Sequence, residues 1–275
     1  MRGPFPYIGG KSRLAAQLIA WFPPHTTYVE PFCGGAQVFF QKPPSRVETI
    51  NDLDGEVVNF LRICQHHHEE LIRCVRFTVT SRRWYELFKR QDPDTLTDIQ
   101  RAARFLYIRK NTYAGRVRSP TFNANVLQAG RFKPSQIAEL LAATAKRLER
   151  VQIENRDVHA VLDEYDRPST LFYLDPPYVA MPFYRFNFAD ADFDRLATRL
   201  ATLRGKFLLS INDHPRAREA FRAFQVREVS VLYSIRGKDA HPHELVFSNF
   251  DLATTEPVVG DTNSAIQSGA DGHVV

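Results

Sequence analysis

Short apolar runs that end in an acid or a turn residue recur along the chain, and each is followed by a stretch with helical spacing. The first run closes on Glu30 and leads into Pro31-Phe32-Cys33-Gly34-Gly35-Ala36, and the next leads into Asn51-Asp52-Leu53-Asp54. Residues 55–65 (GEVVNFLRICQ) then place Val57, Val58, Leu61, Ile63 and Cys64 at an amphipathic spacing that predicts a helix. The pattern returns late in the chain. Residues 170–174 (TLFYL), 206–211 (KFLLSI) and 226–232 read as buried strands, and 245–250 as the strand that closes the folded body. Helices are also expected over 12–21 and 216–224. Strand followed by helix, repeated, predicts an α/β fold with a parallel sheet.

The stretch 80–150 differs, being helical in period and rich in clustered Arg and Lys, with few acids between them. It reads as an inserted domain facing nucleic acid, although Arg-rich solvated helix faces would have the same composition. Trp84 and Tyr85 are expected to pack inside it. From Thr254 onward the residues are small and polar, which predicts a frayed tail. The expected division is therefore 1–79 with 151–253, an insertion at 80–150, and a tail at 254–275.

With 275 residues, 44% hydrophobic and 24% charged, the chain can bury a sizeable core, so disorder and collagen are excluded. No apolar stretch approaches the roughly 20 residues that span a bilayer, and the first residues lack the apolar core of a signal peptide, so a cytoplasmic protein is expected. Cys33, Cys64 and Cys74 form no CxxC pair, which argues for reduced thiols rather than a disulfide framework or structural zinc. The neighbours His66, His67 and His68 would point about 100° apart on a helix and could not converge on one ion, so no metal is expected. Asp213-His214 reads as a turn before a helix rather than a hydrolase pair. The net charge of +5 is compatible with a nucleic-acid partner without requiring one.

The chemistry centres on Asp175-Pro176-Pro177-Tyr178, at the carboxyl end of a predicted strand, where α/β sheets place their active sites. Two prolines stiffen the loop and remove two N–H donors, so it presents acceptors. An aspartate beside a rigid carbonyl can take both protons of a planar amino group, and the tyrosine offers a ring to a flat base. Such acceptors return lone-pair character to the poorly nucleophilic amine of adenine. Taken alone, the four residues also read as a tight turn. The Gly-containing loop after Glu30 suits close approach of a ligand to the backbone, and Asp52 follows at about the 20-residue distance where an acid binds ribose hydroxyls. Tyr7-Ile8-Gly9-Gly10-Lys11 adds a ring, two glycines and a cation before a helix, a pattern that a plain helix-entry loop would share.

In this order YIGGK, EPFCGG, NDLD and DPPY resemble the class alpha, Dam-like DNA adenine methyltransferases, and residues 244–250 resemble that family's last strand. The resemblance implies a Rossmann-like methyltransferase fold with a mixed sheet and an inserted, mainly helical target-recognition domain. It implies transfer of a methyl group from S-adenosyl-L-methionine to N6 of an adenine flipped from double-stranded DNA, as in restriction-modification. Carried over, Tyr7, Lys11, Asp52 and Asp175 bind the donor, Pro31, Phe32 and Gly34 line it, and Asp157 sits near its adenine. Asp175, Pro176, Pro177 and Tyr178 become the catalytic group. The DNA-facing set is Arg109, Lys110, Asn111, Arg116, Arg118, Arg131 and Lys133, on a loop or hairpin. The chain departs from the Dam pattern at Tyr7, where tryptophan is typical, and at Ala36, where many members have a second glycine. A monomer or weak dimer is expected. The alternatives are an amine in RNA or protein as acceptor, or a member of the fold that binds DNA without turnover.

Overall fold

The computed structural model describes residues 1–112, 121–122, 130, 132–230 and 243–252. The chain opens with α1 (Ala15–Ala20), β1 (Thr27–Glu30), α2 (Gln37–Gln41), β2 (Val47–Asn51), α3 (Gly55–His66) and α4 (His68–Val75). Next come α5 (Arg82–Arg90), α6 (Asp98–Asn111) and α7 (Pro134–Leu148). The remainder is β3 (Gln152–Glu154), α8 (Val158–Tyr165), β4 (Thr170–Leu174), α9 (Asp190–Ala201), β5 (Lys206–Asn212), α10 (Pro215–Ala220), β6 (Gln225–Ser230) and β7 (His243–Ser248).

The strands form one mixed sheet of seven in the order β3-β2-β1-β4-β5-β7-β6. From β3 to β5 all pairs are parallel, and β7 inserts antiparallel between β5 and β6. The chain winds outward from β1 to β2 and β3, then returns to place β4 on the other side of β1. That reversal opens a crevice beyond the carboxyl ends of β1 and β4, the place where open α/β sheets hold ligands.

Alternation along the strands divides the core into two layers. Tyr28, Ile50, Leu171, Tyr173 and Leu208 face Leu18 of α1, Phe60 of α3, Leu106 of α6 and Leu141 of α7. Val29, Phe172, Leu174 and Leu209 face Val161 of α8, Phe193 of α9 and Ala217 of α10. The strand expected over 226–232 is no buried strand. It forms the outermost strand β6, where Val226 is 50% exposed and only Val229 turns into the core.

Local signals set the helix ends. Asp54 caps α3 by accepting from the Glu56 amide at 3.1 Å, and Thr97 with Gln100 forms a capping box on α6. The expected helix at 12–21 begins only at Ala15, and α10 is likewise shorter than the expected 216–224. His214 caps α10, its Nδ1 accepting from the Arg216 amide at 3.1 Å, while Asp213 pairs with Arg218, in keeping with a turn.

The inserted stretch is helical, but it does not pack as a separate body. Tyr85, Leu106 and Leu148 belong to the same core as Phe5 and Phe60. Arg101 of α6 pairs with Glu56 of α3, and Arg147 of α7 reaches Glu48 of β2 at 2.6 Å. Tyr85 is buried as expected, whereas Trp84 is 40% exposed because it lies on the outer face of α5. Among the described residues no helix is long and apolar enough to cross a membrane.

Candidate active site

The loop after β1 turns sharply enough to need left-handed backbone at Gly34 (φ 46°) and Ala36 (φ 48°). At Gly34 there is also no room for a side chain, because a Cβ would lie 2.9 Å from the Tyr7 ring. The loop is clasped by Asp52 just beyond β2. One carboxylate oxygen of Asp52 accepts from the Gly34 amide and the other from the Asp54 amide, both at 2.8 Å. Burial pushes the Asp52 carboxyl up to about 6, while these backbone donors pull it the other way. Asp54 in turn pairs with Arg185 at 3.2 Å, which brings the segment after Tyr178 across the mouth of the crevice.

On the other side of the crevice, Asp175 leaves the end of β4 and its Oδ1 accepts from Lys11 Nζ at 2.5 Å. Lys11 is only 3% exposed and gives its other protons to the Gly9 carbonyl and the Tyr178 hydroxyl, each at 3.0 Å. Burial alone would favour a neutral lysine, but Asp175 and Glu244 outweigh it and hold the ammonium well above its ordinary range. Asp175 is raised to about 6, with burial the main cause, the Lys11 charge opposing and Glu244 reinforcing. The Tyr178 hydroxyl donates to Glu244, and its ring meets Tyr184 edge-on at 6.4 Å.

Between the two sides lies a cavity of about 490 Å³, within the range of small-molecule sites. Tyr7, Lys11, Phe32, Gly34, Asp52, Asp157 and Asp175 all line it, so motifs far apart in sequence converge there. Pro177 lines it as well. Pro31 does not reach the wall. It is buried behind it, with its carbonyl accepting from Asn51 Nδ2 at 2.9 Å. Asp157 enters the site as the cap of α8, accepting from the His159 amide at 2.9 Å.

The DNA-facing set divides. Arg109 is 8% exposed and stacks between the Phe105 and Tyr7 rings at 5.1 and 5.9 Å, so it supports the pocket wall from behind instead of facing DNA. Asn111 is also buried, its amide donating to the Tyr107 carbonyl at 2.9 Å at the end of α6. Both lie in the C-terminal half of α6, which is buried on nearly all sides, a placement that clustered basic residues do not reveal. Lys110 is half-buried and Lys133 is exposed at the start of α7. Arg116, Arg118 and Arg131 lie outside the described residues. Sequence reasoning missed Glu30, Tyr184, Arg185 and Glu244. A lone acid in the apolar run of β7 was the available signal for Glu244, and the aromatic segment FYRFNF for Tyr184 and Arg185.

Residues 7–235 match the family described as D12 class N6 adenine-specific DNA methyltransferase. The chain belongs to this family. Its substrate is therefore DNA, and its reaction is methylation of adenine at N6. The Type II methyltransferase M1.LlaDCHI of Lactococcus lactis subsp. cremoris is 25% identical over 244 residues, covering 81% of this chain and 85% of that protein. The Type II methyltransferase M.CviBI of Paramecium bursaria Chlorella virus NC1A is 22% identical over 256 residues, covering 89% and 98%. Among solved structures, SMU.472, crystallised in complex with SAH, aligns at a TM-score of 0.40 and 12% identity over 90% of this chain and 54% of that one. The expected class alpha resemblance and the observed family agree, and the α/β sheet is the one expected. Among the described residues no three His, Cys, Asp or Glu gather as metal ligands.

Proposed function

We propose that this D12 methyltransferase binds S-adenosyl-L-methionine between the β1 loop and Asp52, and receives an adenine rotated out of duplex DNA against Asp175. The observation that carries this reading is the Lys11-Asp175-Tyr178 network at the edge of one cavity that Asp52 also lines. The donor fits the residues present. Asp52 is held by two backbone amides, yet a carboxylate has about four lone-pair sites, which leaves acceptors for ribose hydroxyls. The Tyr7 and Phe32 rings offer apolar walls to a nucleoside, and the Asp157 carboxylate offers a further acceptor.

When bound, the donor supplies a methyl group on a positively charged sulfur. Asp175 accepts from the amino group of the target base, drawing its hydrogens out of the ring plane, so that the nitrogen lone pair leaves conjugation and forms the new bond as the carbon–sulfur bond breaks. A carboxyl at about 6 is ionised at neutral pH, yet it is a stronger acceptor than an ordinary aspartate. It is suited to take the proton that the methylated amine releases. Lys11 keeps the carboxylate aimed and supplies a fixed positive charge beneath it. The loop after Asp175 and the Tyr178 ring help hold the extruded base, whose unstacking costs a few kcal/mol and is offset by phosphate contacts.

The stretch 80–150 is proposed to read the target sequence, with Arg116 and Arg118 suited to guanine and Lys133 to phosphate. By analogy with its Type II relatives, the enzyme protects DNA within a restriction-modification pair. It would act in the cytoplasm on double-stranded DNA, as a monomer or weak dimer. The deciding experiment measures methyl transfer from labelled donor to mixed-sequence duplex alongside DNA binding by filter retention. Asp175→Ala should abolish transfer and leave DNA binding within about threefold, because the carboxylate acts on the amine in the transition state. Near-normal transfer by this variant would reduce the DPPY segment to a structural turn.

A further inference from the structure

The segment that carries Asp175 and Tyr178 is gripped from the neighbouring strands by one cross-strand pair. Asn212 at the end of β5 stands opposite Glu244 at the start of β7. Asn212 holds the Val179 backbone from both sides, Oδ1 accepting from the amide at 3.0 Å and Nδ2 donating to the carbonyl at 3.2 Å. Glu244 takes the hydroxyl of the preceding residue, Tyr178, on Oε1. Its other oxygen lies 3.6 Å from Lys11 Nζ and has no hydrogen-bond partner among the described residues, although Glu244 is only 3% exposed. A buried carboxylate with a bare oxygen is costly to keep, and a neutral residue could fill the same volume.

We infer that Glu244 is a positioning residue for methyl transfer: it fixes the Tyr178 ring through its hydroxyl and, as a second anion beside Lys11, offsets the pull of that cation on Asp175. The inference rests on the reading of Asp175 as the acceptor of the target amine. Around Asp175 stand Lys11 ahead of α1, Glu30 from β1, Tyr173 from β4, Tyr178 in its own loop and Glu244 from β7. Lys11 opposes protonation of Asp175, whereas Glu244 favours it. Removing the Glu244 charge while keeping its shape therefore makes Asp175 a weaker base.

The test uses the full-length enzyme, with kcat measured between pH 5 and 9 and donor affinity by calorimetry. Glu244→Gln keeps a carbonyl acceptor for Tyr178 but removes the charge. The acid limb of kcat, set by ionisation of Asp175, should move to lower pH, and kcat at neutral pH should fall about tenfold, with donor affinity within threefold of wild type. An acid limb that stays in place makes Glu244 a packing residue and overturns the inference. Tyr178→Phe tests the contact from the other side, and it decides the matter if Glu244→Gln does not fold. Loss of the hydroxyl should lower kcat with little change in donor affinity, and an unchanged kcat would show that the contact positions nothing. The two readings fail separately. Activity in Asp175→Ala sinks the underlying site, whereas an inert Asp175→Ala beside normal Glu244→Gln and Tyr178→Phe variants sinks only the role of Glu244.

Discussion

Glu30 shows how far burial can move a single carboxyl. It lies at the end of β1 beneath the cavity, accepts from the Tyr28 hydroxyl at 2.6 Å and the Phe39 amide at 3.1 Å, and is raised to about 8, chiefly by burial. A carboxyl near 4.5 when unfolded and near 8 when folded holds its proton more tightly in the native state. Its contribution is complete below the unfolded value and is lost as pH rises through the folded one. Asp52 and Asp175, both near 6, act in the same direction at lower pH, so above pH 7 the slope belongs mainly to Glu30. Glu30→Gln keeps an acceptor for both donors and removes the titration. Thermal melts between pH 6.5 and 9 should show wild-type stability declining with pH and the variant declining less. Parallel curves would mean that Glu30 is not the group responsible.

At the scale of elements, the β1 loop, β2 and the start of α3 form one unit closed by Asp52 and Asp54. Gly34 is its hinge point, because a side chain there meets both a left-handed backbone and the Tyr7 ring. Gly34→Ala should cost at least about 1–2 kcal/mol for the backbone alone, read as a melting temperature about 2–4 °C lower per kcal/mol. It should also weaken donor binding measured by calorimetry, since the Gly34 amide aims Asp52. Wild-type values in both measurements would show that the loop can rearrange at little cost. Ala36 tolerates a similar φ with a methyl group because its side chain packs into the core, where it is fully buried. The departure from a second glycine is therefore accommodated by the fold.

For the molecule as a whole, the insertion and the sheet share one core, and this has a consequence for dissection. Removing residues 80–150 and joining the ends should give a chain without a cooperative melt, because Phe60, Leu61 and Leu71 would lose the helices that cover them. A soluble, cooperatively folding remnant would show that the sheet layer stands alone. DNA recognition belongs to this scale too. Lys133, exposed where α7 begins, should contribute a sequence-independent phosphate contact. Lys133→Ala should weaken binding to specific and scrambled duplexes equally and lower the slope of log affinity against log salt by about one. A loss confined to the specific duplex would make Lys133 a reader of bases.

Sequence alone determined most of the alternation of strands and helices, without the short β3, the placing of three motifs at strand ends and of YIGGK ahead of a helix, and the residue types able to bind a nucleoside and an aromatic amine. These are legible because period and turn chemistry are local, and because Asp175 and Asp52 stand immediately after apolar runs. What the chain pattern could not decide was which faces meet. Arg109 and Asn111 look like their basic and polar neighbours, and only the burial of the C-terminal half of α6 within the fold takes them out of solvent. β6 reads as a core strand until the sheet places it at the edge. Glu244 lies 69 positions from Asp175 in sequence, yet antiparallel insertion of β7 beside β5 puts its carboxylate at the Tyr178 hydroxyl. Contacts of this kind depend on strand order and register, which arise from the whole core closing at once.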